Sequence, residues 1–199
     1  MPNSLEKESL IENKKNNIIK YDFKPEFVIE NNSSEKLLKE TSRTSSEVSN
    51  YDDVINKRLT SCNKKYKDLF IKDMLDEYIE DGYISISQKL YSIIEEEYGS
   101  IVASIFLNNV YQEYALNNKI IKSILYIIGR LNPNYLNGIE VGITAFALNN
   151  VDYEVRDMAL QCFEKWNNKK HLRLLKSLKL DVDFLQEYLE SIIKQIESE

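Results

Sequence analysis

Turn formers are scarce in this chain: 199 residues hold five glycines and three prolines. A sandwich or barrel needs a reverse turn at the end of every short strand, so this scarcity argues against one. The single histidine, His171, leaves no Ser/His/Asp or Cys/His constellation that omits it. One histidine and two distant cysteines, Cys62 and Cys162, give no zinc-type spacing. Glycine-rich phosphate loops are missing, so neither a metal nor a cofactor is expected. No apolar run approaches the roughly 18 residues of a membrane span. The opening "MPNSLEKESLIENKK" has no apolar core of a secretory signal, and its acidic residues oppose a transit peptide. A cytoplasmic location with free thiols is the expectation. Basic surplus is lacking too. The net charge of −6 disfavours a protein that coats nucleic acid over its whole surface.

What is present is helix-forming: abundant Leu, Ile, Lys and Glu. The chain changes character near residue 50. Residues 1–50 include "NNSSEKLLKETSRTSSEVSN", too polar to offset its ordering entropy, and read as a mobile N-terminal arm. One apolar island interrupts it, Asn17 to Glu30, with Tyr21, Phe23 and Phe27. That island reads either as a strap lying back on the domain or as a docking motif for a partner. Residues 51–199 read as one helical domain. Lys64 to Glu80 carries Tyr66, Leu69, Phe70, Met74, Tyr78 and Ile79 on one side, and Gly82 stops it. Ser87 and Ser100 are expected to cap the next two helices. Further helices are expected from Ile120 to Leu131 after Asn118, from Tyr135 to Leu148, behind the Asp152 cap to Trp166, from Lys169 to Lys179 and from Val182 to Ile196. Connections this short make consecutive helices antiparallel neighbours.

The stretch "NNVDYEVRDMALQCFEKW" has the most regular pattern. Val155, Met158, Ala159, Cys162, Phe163 and Trp166 form an even stripe behind an acidic cap, Asp152. Thirty residues on, the stripe recurs as Leu185, Tyr188, Leu189, Ile192, Ile193 and Ile196. Thirty-four residues back it recurs more weakly, as Ile121, Ile124, Leu125, Ile128, Gly129 and Asn132. A shorter helix lies between each matched pair, so the unit is helix–turn–helix, and it must stack to bury its face. The cap, the pair Val155-Arg156 and the small Ala159 resemble the HEAT-repeat pattern, and "KIIKSILYIIGRLNP" resembles a degenerate second copy. The resemblance runs from about Asn118 to the C-terminus, with Leu185-Gln186 replacing Val-Arg in the last copy. It implies that Asp152 orders a helix start and that Arg156 reaches a neighbouring repeat, both as scaffold rather than site. The implied fold is all-α: a short right-handed HEAT-like superhelix of about seven to eight helices behind the arm.

Candidate function therefore sits on surfaces. Lys169, Arg173 and Lys176 share a helix face opposite Leu172, Leu175 and Leu178. This is either a solvated face or a patch for an acidic partner or a phosphate. Glu95, Glu96 and Glu97, with Glu77, Glu80 and Asp81, form an acidic zone suited to a basic partner. Thirteen tyrosines, among them Tyr83, Tyr91, Tyr111, Tyr114 and Tyr126, fall beside the stripes and offer interface area. His171 is expected at a solvated surface. Together these features point to a non-catalytic protein-binding module acting as adaptor, regulator or inhibitor. One specific form is an immunity-type antidote that neutralises a basic toxin. A different class is nucleic-acid binding through the basic helix 169–179, and a third is self-association through the terminal helix.

Overall fold

Helical periodicity and local capping set the elements from Thr41 onward. A computed structural model describes residues 41–79, 82–134, 136 and 138–198, with side chains from 51 onward. Every regular element among them is helical: α1 (Thr41–Asp76), α2 (Ile86–Tyr98), α3 (Ser100–Glu113), α4 (Asn118–Ile128), α5 (Gly138–Ala147), α6 (Tyr153–Trp166), a 3-10 turn (Lys169–His171), α7 (Leu172–Ser177) and α8 (Asp183–Ser198). None of the described helices is long and apolar enough to cross a membrane.

Helix α1 departs from expectation at both ends. It begins inside the stretch expected to be mobile, because extending a formed helix avoids the cost of nucleation. It stops at Asp76, short of Glu80, where Lys119 of α4 donates to the Leu75 carbonyl. Cys62, Tyr66, Phe70 and Met74, four residues apart, are its buried line. Leu69 is instead 48% exposed and Tyr78 89% exposed. Leu69 sits about 100° around the helix from Phe70 and so leaves the core side. Phe70 meets Phe106 of α3, and Tyr66 meets the edge of Tyr98 of α2.

The next helices are capped one or two residues from the expected positions. Ser85, not Ser87, caps α2, its hydroxyl accepting from Gln88 N at 3.1 Å. Ser87 is buried, and its hydroxyl donates to the Glu77 carboxylate. The α2–α3 junction is one residue. Gly99 N–H donates to Glu95 O, and its carbonyl accepts from Ala103 N. Its φ of 86° and ψ of 157° suit glycine alone, so Gly99 rather than Ser100 occupies the cap of α3. Asn117 caps α4 through Lys119 N and Ile120 N. The α7 region, expected as one helix, divides into a 3-10 turn and a short helix, with the Asn168 side chain capping the turn through Lys170 N.

Packing sorts the helices into two layers. In one, α2 touches α4, α4 touches α6 and α6 touches α8; behind it α3 touches α5. Helix α4 contacts α2, α3, α5 and α6, and Ile120, Ile121, Ile124, Leu125, Tyr126, Ile127 and Ile128 are all buried on it. From Ser123 to Ile128 every residue is buried, so the second half of the helix lies inside the fold. The α6 stripe is buried as expected at Val155, Ala159, Cys162, Phe163 and Trp166, whereas Met158 is only half-buried. On α8, Leu185, Leu189, Ile192 and Ile196 are buried and Tyr188 and Ile193 half-buried. Replacing Gly99 by alanine forces a side chain into a glycine-only conformation. Urea unfolding of Gly99→Ala is expected to show a loss of about 1–3 kcal/mol; an unchanged midpoint would refute the role given to this residue.

Candidate functional site

Successive residues on a helix point about 100° apart, and that spacing scatters Glu95, Glu96 and Glu97 into three environments. Glu97 turns to α1, where its carboxylate accepts from Lys65 Nζ at 2.7 Å and Tyr66 Oη at 2.5 Å. Arg58 also donates to its backbone carbonyl at 3.2 Å. The hydrogen bonds from Lys65 and then Tyr66 hold this carboxyl below its ordinary range. Glu95 turns the other way, into a cleft of about 330 Å³ shared with Tyr91, Ser104 and Glu140. Only Glu96 simply faces solvent. Glu77 is engaged by Ser87, and Glu80 and Asp81 lie outside the described residues. The acidic zone expected as one docking face is thus divided between internal contacts and solvent.

The cleft beside Glu95 contains a group the sequence reading missed. Glu140 is 2% exposed on the first turn of α5, and the Ser104 hydroxyl donates to it. Burial, then Glu140 and Glu95, push the Tyr91 hydroxyl well above its ordinary value. The signal was one carboxylate in the otherwise apolar "GIEVGITAFA". No group of three or more His, Cys, Asp or Glu side chains among the described residues is arranged to hold a metal.

On the basic segment, Lys169 and Arg173 are exposed, and Lys176 Nζ lies 2.5 Å from Glu197 of α8. Both partners of that pair are about half exposed, so it adds little stability but offsets one positive charge of the patch. His171 is not solvated as expected. Its ring packs edge-on against Phe163 and Trp166, with centroids 5.7 and 5.5 Å away. Burial, then Lys170, lowers its pKa from the usual 6.5. Of the tyrosines, Tyr91 and Tyr126 are buried, Tyr111 and Tyr114 half-buried, and Tyr83 is exposed. Tyr21, Phe23 and Phe27 lie outside the described residues.

The starts of α4, α6 and α8 carry the remaining polar geometry. Asp152 accepts from Glu154 N at 2.9 Å, capping α6, and its other oxygen accepts from Asn118 Nδ2 at 3.0 Å. Lys122 lies 2.5 Å from Glu154 and 3.7 Å from Asp152. Arg156, 6% exposed, reaches across to Asp181 before α8, Nη2 to Oδ1 2.5 Å. That hydrogen bond is the main cause of the lowered Asp181 pKa. Around these groups stand large apolar side chains in water: Leu116 (99% exposed), Val151 (92%), Tyr153 and Phe184 (55% each). Tyr153 and Phe184 meet edge-on at 6.2 Å. They escaped the sequence reading because they precede or open helices, off every buried stripe.

Comparison with known protein families, with curated proteins and with solved structures finds no match to this chain.

Two titrations follow from this geometry. Glu97 has a depressed folded pKa, so its contribution is complete above the unfolded value near 4.5 and is lost as pH falls below it. Glu97→Gln should therefore weaken the fold at pH 7 and flatten the acid loss below pH 4.5, whereas Glu96→Gln should change neither; equal behaviour would refute the division. For His171 the folded state favours the neutral ring. Stability is full above the unfolded pKa of 6.5 and is lost as pH falls through it toward the lower folded value. Urea midpoints between neutral pH and pH 5 should decline less in His171→Gln than in the parent.

Proposed function

We propose that the chain is a HEAT-like helical scaffold that binds another protein and performs no chemistry on it. The observation that carries this reading is the set of exposed apolar side chains at neighbouring helix starts. Leu116 lies two residues before Asn118, whose amide bonds Asp152, and Asp152 follows Val151 directly. Tyr153 then meets Phe184. Scattered single apolar residues on a surface need no explanation, but a linked series at one edge marks an interaction surface. Aromatic members strengthen it, since they offer large contact area at small entropic cost.

The HEAT-like part of the reading draws support from the alternate contacts of α2, α4, α6 and α8 and from the reach of Arg156 to the turn before α8. The resemblance leads one to expect both. The antidote form draws less support, because Glu97 is engaged by Lys65 and Tyr66. Nucleic-acid binding through 169–179 is weakened likewise by the Lys176–Glu197 pair.

A photocrosslinking amino acid tests this reading in native lysate. Placed at Leu116 or Val151, it should trap a discrete protein partner; placed at the exposed Gln112, it should not. Equal trapping at all three positions, or none at any, would overturn the assignment of this edge.

A further inference from the structure

The Arg156–Asp181 bridge leaves one feature unexplained. Arg156 is almost wholly buried, yet its partner carboxylate is 81% exposed and meets only Nη2. Arg156 Nε is buried with no hydrogen-bond partner among the described residues. A guanidinium presents a planar fork that pairs best with two acceptor atoms at once. A buried donor left over from that fork calls for a physical reason. The arginine also lines a cleft of about 420 Å³ between the loop before α6 and the loop before α8. Asn149, Asn150 and Lys179 line the same cleft, and Val151 and Tyr153 form its apolar rim. Arg156 and Asp181 cancel, so the charge left in the lining is that of Lys179.

We propose that this cleft receives an acidic peptide segment of a partner protein. A carboxylate of that segment displaces the singly held Asp181 and takes the guanidinium fork of Arg156. Lys179 supplies the second positive charge, and flanking apolar side chains rest on Val151, Tyr153 and Phe184. Displacement leaves the Asp181 carboxylate in water, where it already lies for most of its surface. The incoming group also gives Nε the acceptor it lacks. Polar recognition inside an apolar rim is the ordinary form of a peptide site. The proposal rests on the protein-binding reading and names the chemistry that its surface selects.

The test is a titration of the full chain, labelled with nitrogen-15, by a blocked pentapeptide alternating leucine with aspartate. The control is the same peptide with lysine in place of aspartate. The acidic peptide should shift the Arg156 Nε–H signal and the amides of Val151 and Tyr153; the basic peptide should not. Lys179→Glu should weaken binding at least tenfold. Asp181→Asn, which removes the competing charge, should tighten it severalfold, a result that a merely structural bridge would not give. Equal shifts with both peptides, no shift at Arg156 Nε–H, or weaker binding by Asp181→Asn would overturn the proposal. So would shifts produced only by a short DNA duplex. If crosslinking at Val151 traps a partner whose binding ignores Lys179→Glu, the protein-binding reading survives and this one does not.

Discussion

The close approach of the end of α4 to the middle of α6 is the contact on which the stack depends. A side chain added at Gly129 would place its first carbon 3.1 Å from Cys162 Sγ and 3.3 Å from Leu125 O, closer than ordinary packing. Two carbonyls near the end of α4 already accept a backbone bond, Leu125 O from Gly129 N at 2.8 Å and Ile128 O from Leu131 N at 3.1 Å. Helix α6 adds a second donor to each: Cys162 Sγ–H donates to Leu125 O and Trp166 Nε1–H to Ile128 O, both at 3.3 Å. Burial pushes the Cys162 thiol up to about 12, which keeps its proton in place as the donor. These side-chain bonds tie the end of α4 to α6. Because α4 touches α2, α3, α5 and α6, its placement orders both layers.

Polar contacts stitch this packed frame together from outside. Lys65 and Tyr66 on Glu97 join α1 to α2, Lys67 on Glu113 joins α1 to α3, and Asn118 on Asp152 joins α4 to α6. Exposed ion pairs of this kind add little stability each, so their effect is mainly on register and orientation. They also determine which charges remain for a partner. The acidic run of α2 is mostly drawn inward or sideways, while the starts of α4, α6 and α8 keep their large apolar side chains in water.

Those helix starts join scaffold and surface. Asp152 orders the beginning of α6 and accepts from Asn118 of α4, while Arg156 reaches Asp181 before α8 and lines the cleft. A short loop runs over the surface and displays part of what it carries, here Val151 but not the buried Leu148. Val151 is displayed because Asp152 beside it is fixed by two hydrogen bonds. The structural and the interactive parts of this edge are thus consecutive residues rather than separate regions.

The sequence alone determined the helical class, the α6 cap at Asp152 and the buried line Val155-Ala159-Cys162-Phe163-Trp166. Each depends on spacing along a single helix or on one residue's capping chemistry, which are local. Tertiary structure decided what required knowing which helix lies opposite. It separated Glu97 from Glu95 and Glu96, because α1 lies on one side of α2 and the Glu140 cleft on another. It moved His171 from expected solvent to a place against Phe163 and Trp166, and it turned Ser87 from a cap into a buried donor to Glu77. Leu116 and Val151 carry no helical periodicity, so only the packed arrangement shows that they precede neighbouring helix starts. Burial and charge pairing belong to surfaces that meet across the chain, and a pattern within one helix does not contain them.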